Sequence, residues 1–277
     1  VSDGKNTSMH NLTSDQMPVV FIGHGSPMAA FEDNVFTRTW AALGQTLPRP
    51  KAILCVSAHW YVHGARITAM QQPRTIHDFQ GFPDVLYQYH YPASGEPLLA
   101  QRIVELLKPM EVIADQEWGF DHGSWTLLKH MYPLGDVPLL QLSIDRSKPA
   151  DWHYELGRRL AVLRTEGVLI LGSGNIVHNL RYLQWSEAAK TLPWAREFDQ
   201  YVRAALERGD HQPLVSYQQA GEAARLSVPT PDHYLPLLYV LGASKARDSV
   251  SVLLDEIVMD SISMMSVVYG HAVVPSA

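Results

Sequence analysis

The chain has 277 residues, 46% hydrophobic and 18% charged, with a formal net charge of −6. This length suits one large domain or two small ones, with enough apolar residues for a sizeable core. The dispersed acidic excess argues against a nucleic-acid or anionic-membrane surface, which needs a basic patch. No apolar run approaches the ~20 residues of a membrane-spanning helix.

The first stretch, "VSDGKNTSMHNLTSDQMP", is polar and has no apolar core of the kind a secretory signal carries. Residues 1–17 are expected to be a disordered tail or remnant, with Met17 a candidate natural start and 18–277 a single domain. Short apolar runs then alternate with amphipathic ones. Strands are predicted at Val19–Gly23, Ala52–Ser57, Ala65–Met70, Glu111–Ala114, Pro138–Ser143, Val168–Gly172, Val250–Leu254 and Ser261–Val268. Helices are predicted in "EPLLAQRIVELLKP", in "KPADWHYELGRRLAVLRTEG" with Asp151 as N-cap and Gly167 as stop, and in "WAREFDQYVRAALERGD". "PDHYLPLLYVLG" reads as a short buried helix despite Pro236. The alternation predicts one α/β domain, a three-layer αβα arrangement with a mainly parallel or mixed central sheet. The last two strands follow each other closely, which suits a hairpin or an edge addition.

Cys55 is the only cysteine and lies in the apolar run "AILCVSAHW". It cannot form an internal disulfide and reads as a core residue, so an intracellular, cytoplasmic protein is expected.

Thirteen histidines carry the functional signal. In doubly wound sheets ligands bind beyond the carboxyl ends of strands. Three predicted strands run into polar clusters holding His24 ("GHGSP"), His59 ("SAHW") and His178 ("GSGNIVHN"). If those ends share one side of the sheet, the three imidazoles converge. Each placement would also suit a histidine that caps or packs a turn. His122 in "FDHGSW" reads as catalytic, as a support for other site residues, or as a helix cap. His233 in "TPDHYLPLLY" reads as a helix cap from its own context, and His77 sits in a loop that could shape a pocket. His10, His63, His90, His130, His153, His211 and His271 read as surface or packing residues. Several neutral imidazoles together form a metal site before anything else. There is no HExxH and no GxSxG, which disfavours a zincin protease and a serine hydrolase. "GSGN" lacks the features of a phosphate loop.

Taken in order, "FIGHGSP", "VSAHW", "TIHDFQGFP", "GFDHGSW", "GSGNIVHNL" and "PTPDHYLPLLYVLGA" resemble the class III extradiol ring-cleaving dioxygenases, in the branch that acts on DOPA. The resemblance spans about Met17 to Gly270. It implies a non-haem metal and a small aromatic catechol, opened beside its two hydroxyls with both atoms of O₂ incorporated. For L-DOPA the product would be 4,5-seco-DOPA, a muconate semialdehyde. It further implies His24, His59 and His233 as metal ligands, His178 as a further ligand or the acid/base, and His122 as acid/base or a support for the site. One divalent metal is expected, Fe(II) for turnover, with Zn(II) able to occupy the site in isolated protein. The usual iron set has two histidines and a carboxylate; here "PDHY" offers His233 with Asp232 beside it. A zinc-dependent hydrolase built on the same imidazoles is the alternative reading. No nucleic-acid or membrane partner is expected.

Overall fold

The computed structural model describes residues 16–184 and 191–271. Of the expected tail, residues 1–15 lie outside the described residues. Met17 is buried, and its N–H donates to the Arg164 carbonyl at 2.9 Å.

Eight strands form the central sheet: β1 Val19–Gly23, β2 Ala52–Val62, β3 Ala65–Thr68, β4 Val112–Asp115, β5 Leu139–Asp145, β6 Val168–Gly174, β7 Val250–Leu253 and β8 Ser266–Tyr269. Their spatial order is β4-β3-β5-β2-β6-β1-β8-β7. The centre is parallel, with β2 beside β5 and β6, and β6 beside β1. Antiparallel pairs join β3 to β5, β1 to β8 and β8 to β7. The sheet is therefore mixed, and the closely spaced last strands do add to its edge as an antiparallel pair.

Side chains on β1 alternate between two cores. Val19 and Phe21 pack on one face with Phe198 and Leu238; Val20 and Ile22 pack on the other with Trp40 and Trp125. All four β1 residues are fully buried, and each burial contributes roughly 1.5–3 kcal/mol. Burial on both faces is why the run is continuously apolar rather than alternating. Helices α1 (Val35–Thr46) and α3 (His122–Met131) supply one outer layer. Helices α2 (Pro97–Leu107), α4 (Ala150–Leu160), α5 (Pro193–Arg208) and α6 (Leu235–Ala243) supply the other. Cys55 lies on β2, buried against the first of these layers, and burial pushes its thiol pKa up, away from any nucleophilic role.

Four differences from the sequence reading bear on the site. Strand β2 runs on past Ser57 to Val62, with its register to β5 shifting between Val56 and Tyr61. His59 therefore sits within an irregular strand, not beyond its end. The predicted strand Ser261–Val268 is split: Ile262–Ser263 pairs with Ile257–Val258, and only Ser266–Tyr269 joins the sheet. Pro149, not Asp151, stands at the N-cap of α4, although Gly167 does end that region in a left-handed turn. Helices α1 and α3 were not predicted. Asn34 caps α1, its side chain accepting from the N–H groups of Phe36 and Thr37.

Candidate metal and ring-cleavage site

His24, His59, His122, His178 and His233 line one cavity of about 310 Å³ at the carboxyl end of the parallel strands. His24 follows β1, His178 follows β6 by four residues, and β2 carries His59. These are adjacent parallel strands, so their ends lie on one side. His122 opens α3, and His233 ends a short 3₁₀ turn, Pro231–His233, before α6. Close approach needs two glycines. A Cβ on Gly123 would lie 2.5 Å from Ser57 Oγ and 2.8 Å from the His59 ring, and one on Gly174 would strike the His233 carbonyl.

Ring nitrogens of His24, His59 and His122 lie within 4.8 Å of one another. The His24 and His59 Nε2 atoms are 3.1 Å apart. The His233 ring centre lies 5.3 Å from that of His24 and 5.2 Å from that of His59. His178 stacks on His233, centres 3.5 Å apart and planes within 5°. Its backbone is fixed by an N–H bond to the Ser227 carbonyl at 2.9 Å and a bridge to Ile262. His77 does not line the cavity; its Nε2 lies 2.9 Å from the Tyr89 carbonyl.

The outer nitrogens of these rings are tied down. Asp78 Oδ2 accepts from Nδ1 of His122 at 2.9 Å, and Nδ1 of His59 lies 3.2 Å from the same oxygen. Asp78 Oδ1 takes the His122 backbone N–H at 2.9 Å, at the start of α3. Burial pushes the Asp78 pKa up, but the hydrogen bond and charge of His122 outweigh it and hold the carboxyl ionised. Asp232 accepts from His233 Nδ1; burial again opposes, the bond to His233 again wins, and its pKa falls to about 2. Ser173 Oγ gives its one hydrogen to the Gly123 carbonyl, so it must accept from His24 Nδ1, 2.9 Å away.

In His24, and in His59 beside Asp78, this network places a proton on Nδ1 and a lone pair on Nε2, while in His122 and His233 it engages Nδ1 with a carboxylate. Burial, with the neighbouring imidazoles, lowers the pKa of His24 and His59 well below the usual value, keeping both neutral. His178 is lowered to about 2 by burial and then by His233. Two neutral imidazoles therefore present lone pairs to each other at 3.1 Å, an arrangement that a cation relieves. The donor set fits a divalent metal.

Behind the site, Asp121 caps α3 through the Ser124 N–H, accepts from Ser57 Oγ at 2.7 Å, and pairs with Gln141. Burial, and then the charge of Asp78, pushes its pKa up to about 7 against the Ser57 bond. Asp121 is next to His122 in sequence, yet the carboxylate that holds the His122 ring is Asp78.

Residues 18–270 match the catalytic LigB subunit of aromatic ring-opening dioxygenase. The chain belongs to this family. It is 55% identical over 263 residues to the 4,5-DOPA dioxygenase extradiol of Escherichia coli K12, covering 94% of this chain and 97% of that one. It is 38% identical over 231 residues to the protein of the same name from Beta vulgaris, covering 81% and 85%. The crystal structure of an uncharacterized protein from Escherichia coli K12 superposes with a TM-score of 0.81 at 50% identity, covering 92% of this chain and all of that one. The protein is thus an extradiol ring-cleaving dioxygenase. Dioxygenases of this family use a non-haem metal, and a three-histidine group able to hold one is present. Family membership favours ring opening over the hydrolase reading. Among the described residues no helix is long and apolar enough to cross a membrane.

The sequence reading missed Asp78, Ser173 and the pairing of Asp232 with His233. Asp78 lies in "TIHDFQGFP", a segment already singled out for its histidine, and that was the available signal.

Proposed function

We propose that the enzyme opens the ring of L-DOPA, or a closely related small catechol, to give 4,5-seco-DOPA. The observation that carries this reading is the set of imidazoles facing one cavity with their Nδ1 atoms tied outward. The L-DOPA assignment is supported by the names of the bacterial and plant relatives. His24, His59 and His233 would hold the metal, with His178, stacked on His233, as a further ligand or a proton carrier, leaving His122, a ring nitrogen of which also lies within 4.8 Å of those of His24 and His59, for proton transfer. When bound, the metal acidifies the catechol hydroxyls and, as Fe(II), provides the redox contact between ring and O₂.

The chain's own residues do the rest. His122 Nε2 receives a catechol proton, and the Asp78 carboxylate at Nδ1 stabilises the resulting imidazolium. Returned during ring opening, that proton closes the cycle. Both oxygen atoms of O₂ end in the product, one in the new aldehyde and one in the new carboxyl group, so no external reductant is consumed. Phe79 and Phe82 wall the cavity, hold the ring flat and exclude water from the opened intermediate.

The test is anaerobic reconstitution with Fe(II), followed by O₂ and L-DOPA. One O₂ taken up per yellow, ring-opened product supports the proposal. Metal-loaded protein that consumes no O₂ with L-DOPA would overturn it.

A further inference from the structure

The site cavity has a neighbour. A second cavity, of about 290 Å³, shares Gly25, Ser26, Phe82 and Met259 with it. The first alone lies near the lower end of the ~300–1,000 Å³ typical of ligand sites, and the second nearly doubles the space. Gly25 stands at the junction, where a Cβ would already be 3.5 Å from Met264 Cε. Beyond it the walls are Met28, Phe36, Trp40 and Met264. Methionine side chains are flexible and polarisable and adapt to chains of varied shape. The buried indole N–H of Trp40 has no hydrogen-bond partner among the described residues.

Charge is distributed unevenly over these walls. Among the described lining residues of both cavities there is no lysine or arginine. Glu32 is the one carboxylate; it is exposed and takes a 3.1 Å hydrogen bond from Asn34 Nδ2. A catechol that turns its hydroxyls toward the imidazoles points a substituent para to one hydroxyl away from them. A chain that passes Gly25 and Phe82 into the second cavity meets apolar and methionine walls and one acid, Glu32. A carboxylate meets no cation there, whereas an ammonium meets Glu32.

We infer that the second cavity is a subsite for the ring substituent, and that the enzyme favours catechols bearing an elongated, mainly apolar chain that ends in an ammonium group. L-DOPA is then a short, carboxylated member of a wider substrate class. The inference rests on the catechol-cleaving reading above.

The test uses metal-loaded enzyme and 4-alkylcatechols from methyl to hexyl, with 4-(6-aminohexyl)catechol and L-DOPA. Binding is measured without O₂, which separates it from turnover, and kcat/KM with O₂. Each methylene should tighten binding about threefold to fourfold until the subsite is full. The terminal amine should add about twofold to fivefold over its uncharged counterpart, as an exposed ion pair does. Glu32→Gln should bring the amine-to-neutral ratio to one, and Met28→Trp should collapse the hexyl-to-methyl ratio. Wild-type binding that is flat or weakens with chain length would overturn the subsite, as would a hexyl-to-methyl ratio untouched by Met28→Trp. If L-DOPA is cleaved in that case, only the subsite falls. If no catechol drives O₂ uptake, the ring-cleaving reading falls with it.

Discussion

The two sides of the site are held in different ways. On one side, a single carboxylate, Asp78, holds the His122 ring, lies 3.2 Å from His59 Nδ1 and takes the His122 backbone N–H at the start of α3, so ring position and helix position are set together. On the other side, His233 has its own carboxylate, Asp232, while His178 is placed by backbone bonds and by a face-to-face stack on His233. Hydrogen bonds to Nδ1 fix both the tautomer and the ring rotation. A stack fixes only the plane. His122 and His233 are therefore each oriented by a carboxylate, while the His178 ring is placed by its backbone and its stack.

The largest expected effect removes the contact between the sides. His59→Ala or His24→Ala should abolish stoichiometric metal and bring ring opening to background, read by metal analysis after gel filtration. Metal retained at one per chain would break the ligand assignment. Asp78→Asn should come next, because it touches one proposed ligand, His59, and the proton acceptor, His122. Its metal affinity should fall about 10- to 100-fold, as should that of Asp232→Asn, which acts on the proposed ligand His233, but only Asp78→Asn should also lower kcat of the metal-saturated enzyme. Equal kcat for the two metal-saturated variants would erase the contrast.

His178→Phe keeps a stacking ring and removes the nitrogens. Metal kept with kcat reduced about 10²–10⁴-fold would make His178 the proton carrier; metal lost would make it a ligand.

The smallest effect is on pH dependence. The folded-state pKa of His178 is about 2 against an ordinary 6.5, so only the unfolded chain takes up this proton as pH falls below 6.5. Its contribution to stability is complete above pH 6.5 and is lost as pH falls toward 2. In metal-free protein, His178→Phe should flatten the stability profile between pH 6 and pH 4 by about 1.4 kcal/mol per pH unit. Denaturant melts across that range read the slope, and an unchanged slope would show that the ring is open to protonation in the folded state.

Much of this architecture is legible in local patterning. Val19–Gly23 is a strand with the predicted bounds, since four buried apolar residues followed by glycine leave little else to form. The helix "WAREFDQYVRAALERGD" shows its apolar stripe in the same direct way, and the structure has it at Pro193–Arg208. Helix α3 escapes such reading because nearly all of it is buried, which removes the alternation between wet and dry faces. The split of Ser261–Val268 escapes for a related reason. Every residue from Ser261 to Tyr269 is buried, so composition cannot tell which part joins the sheet.

By itself the sequence determined the α/β class, the strand ends that carry His24 and His178, and the family to which the motifs belong. These follow from short-range facts: apolar runs, breaks, and residue types in order. Tertiary structure alone decided that Asp78, 44 residues before His122, and not the adjacent Asp121, orients that ring. It also decided that Ser173 sets the His24 tautomer and that a second cavity opens beside the first. Hydrogen-bond direction and empty space depend on segments meeting across the sheet, and no local pattern in the chain encodes which of them meet.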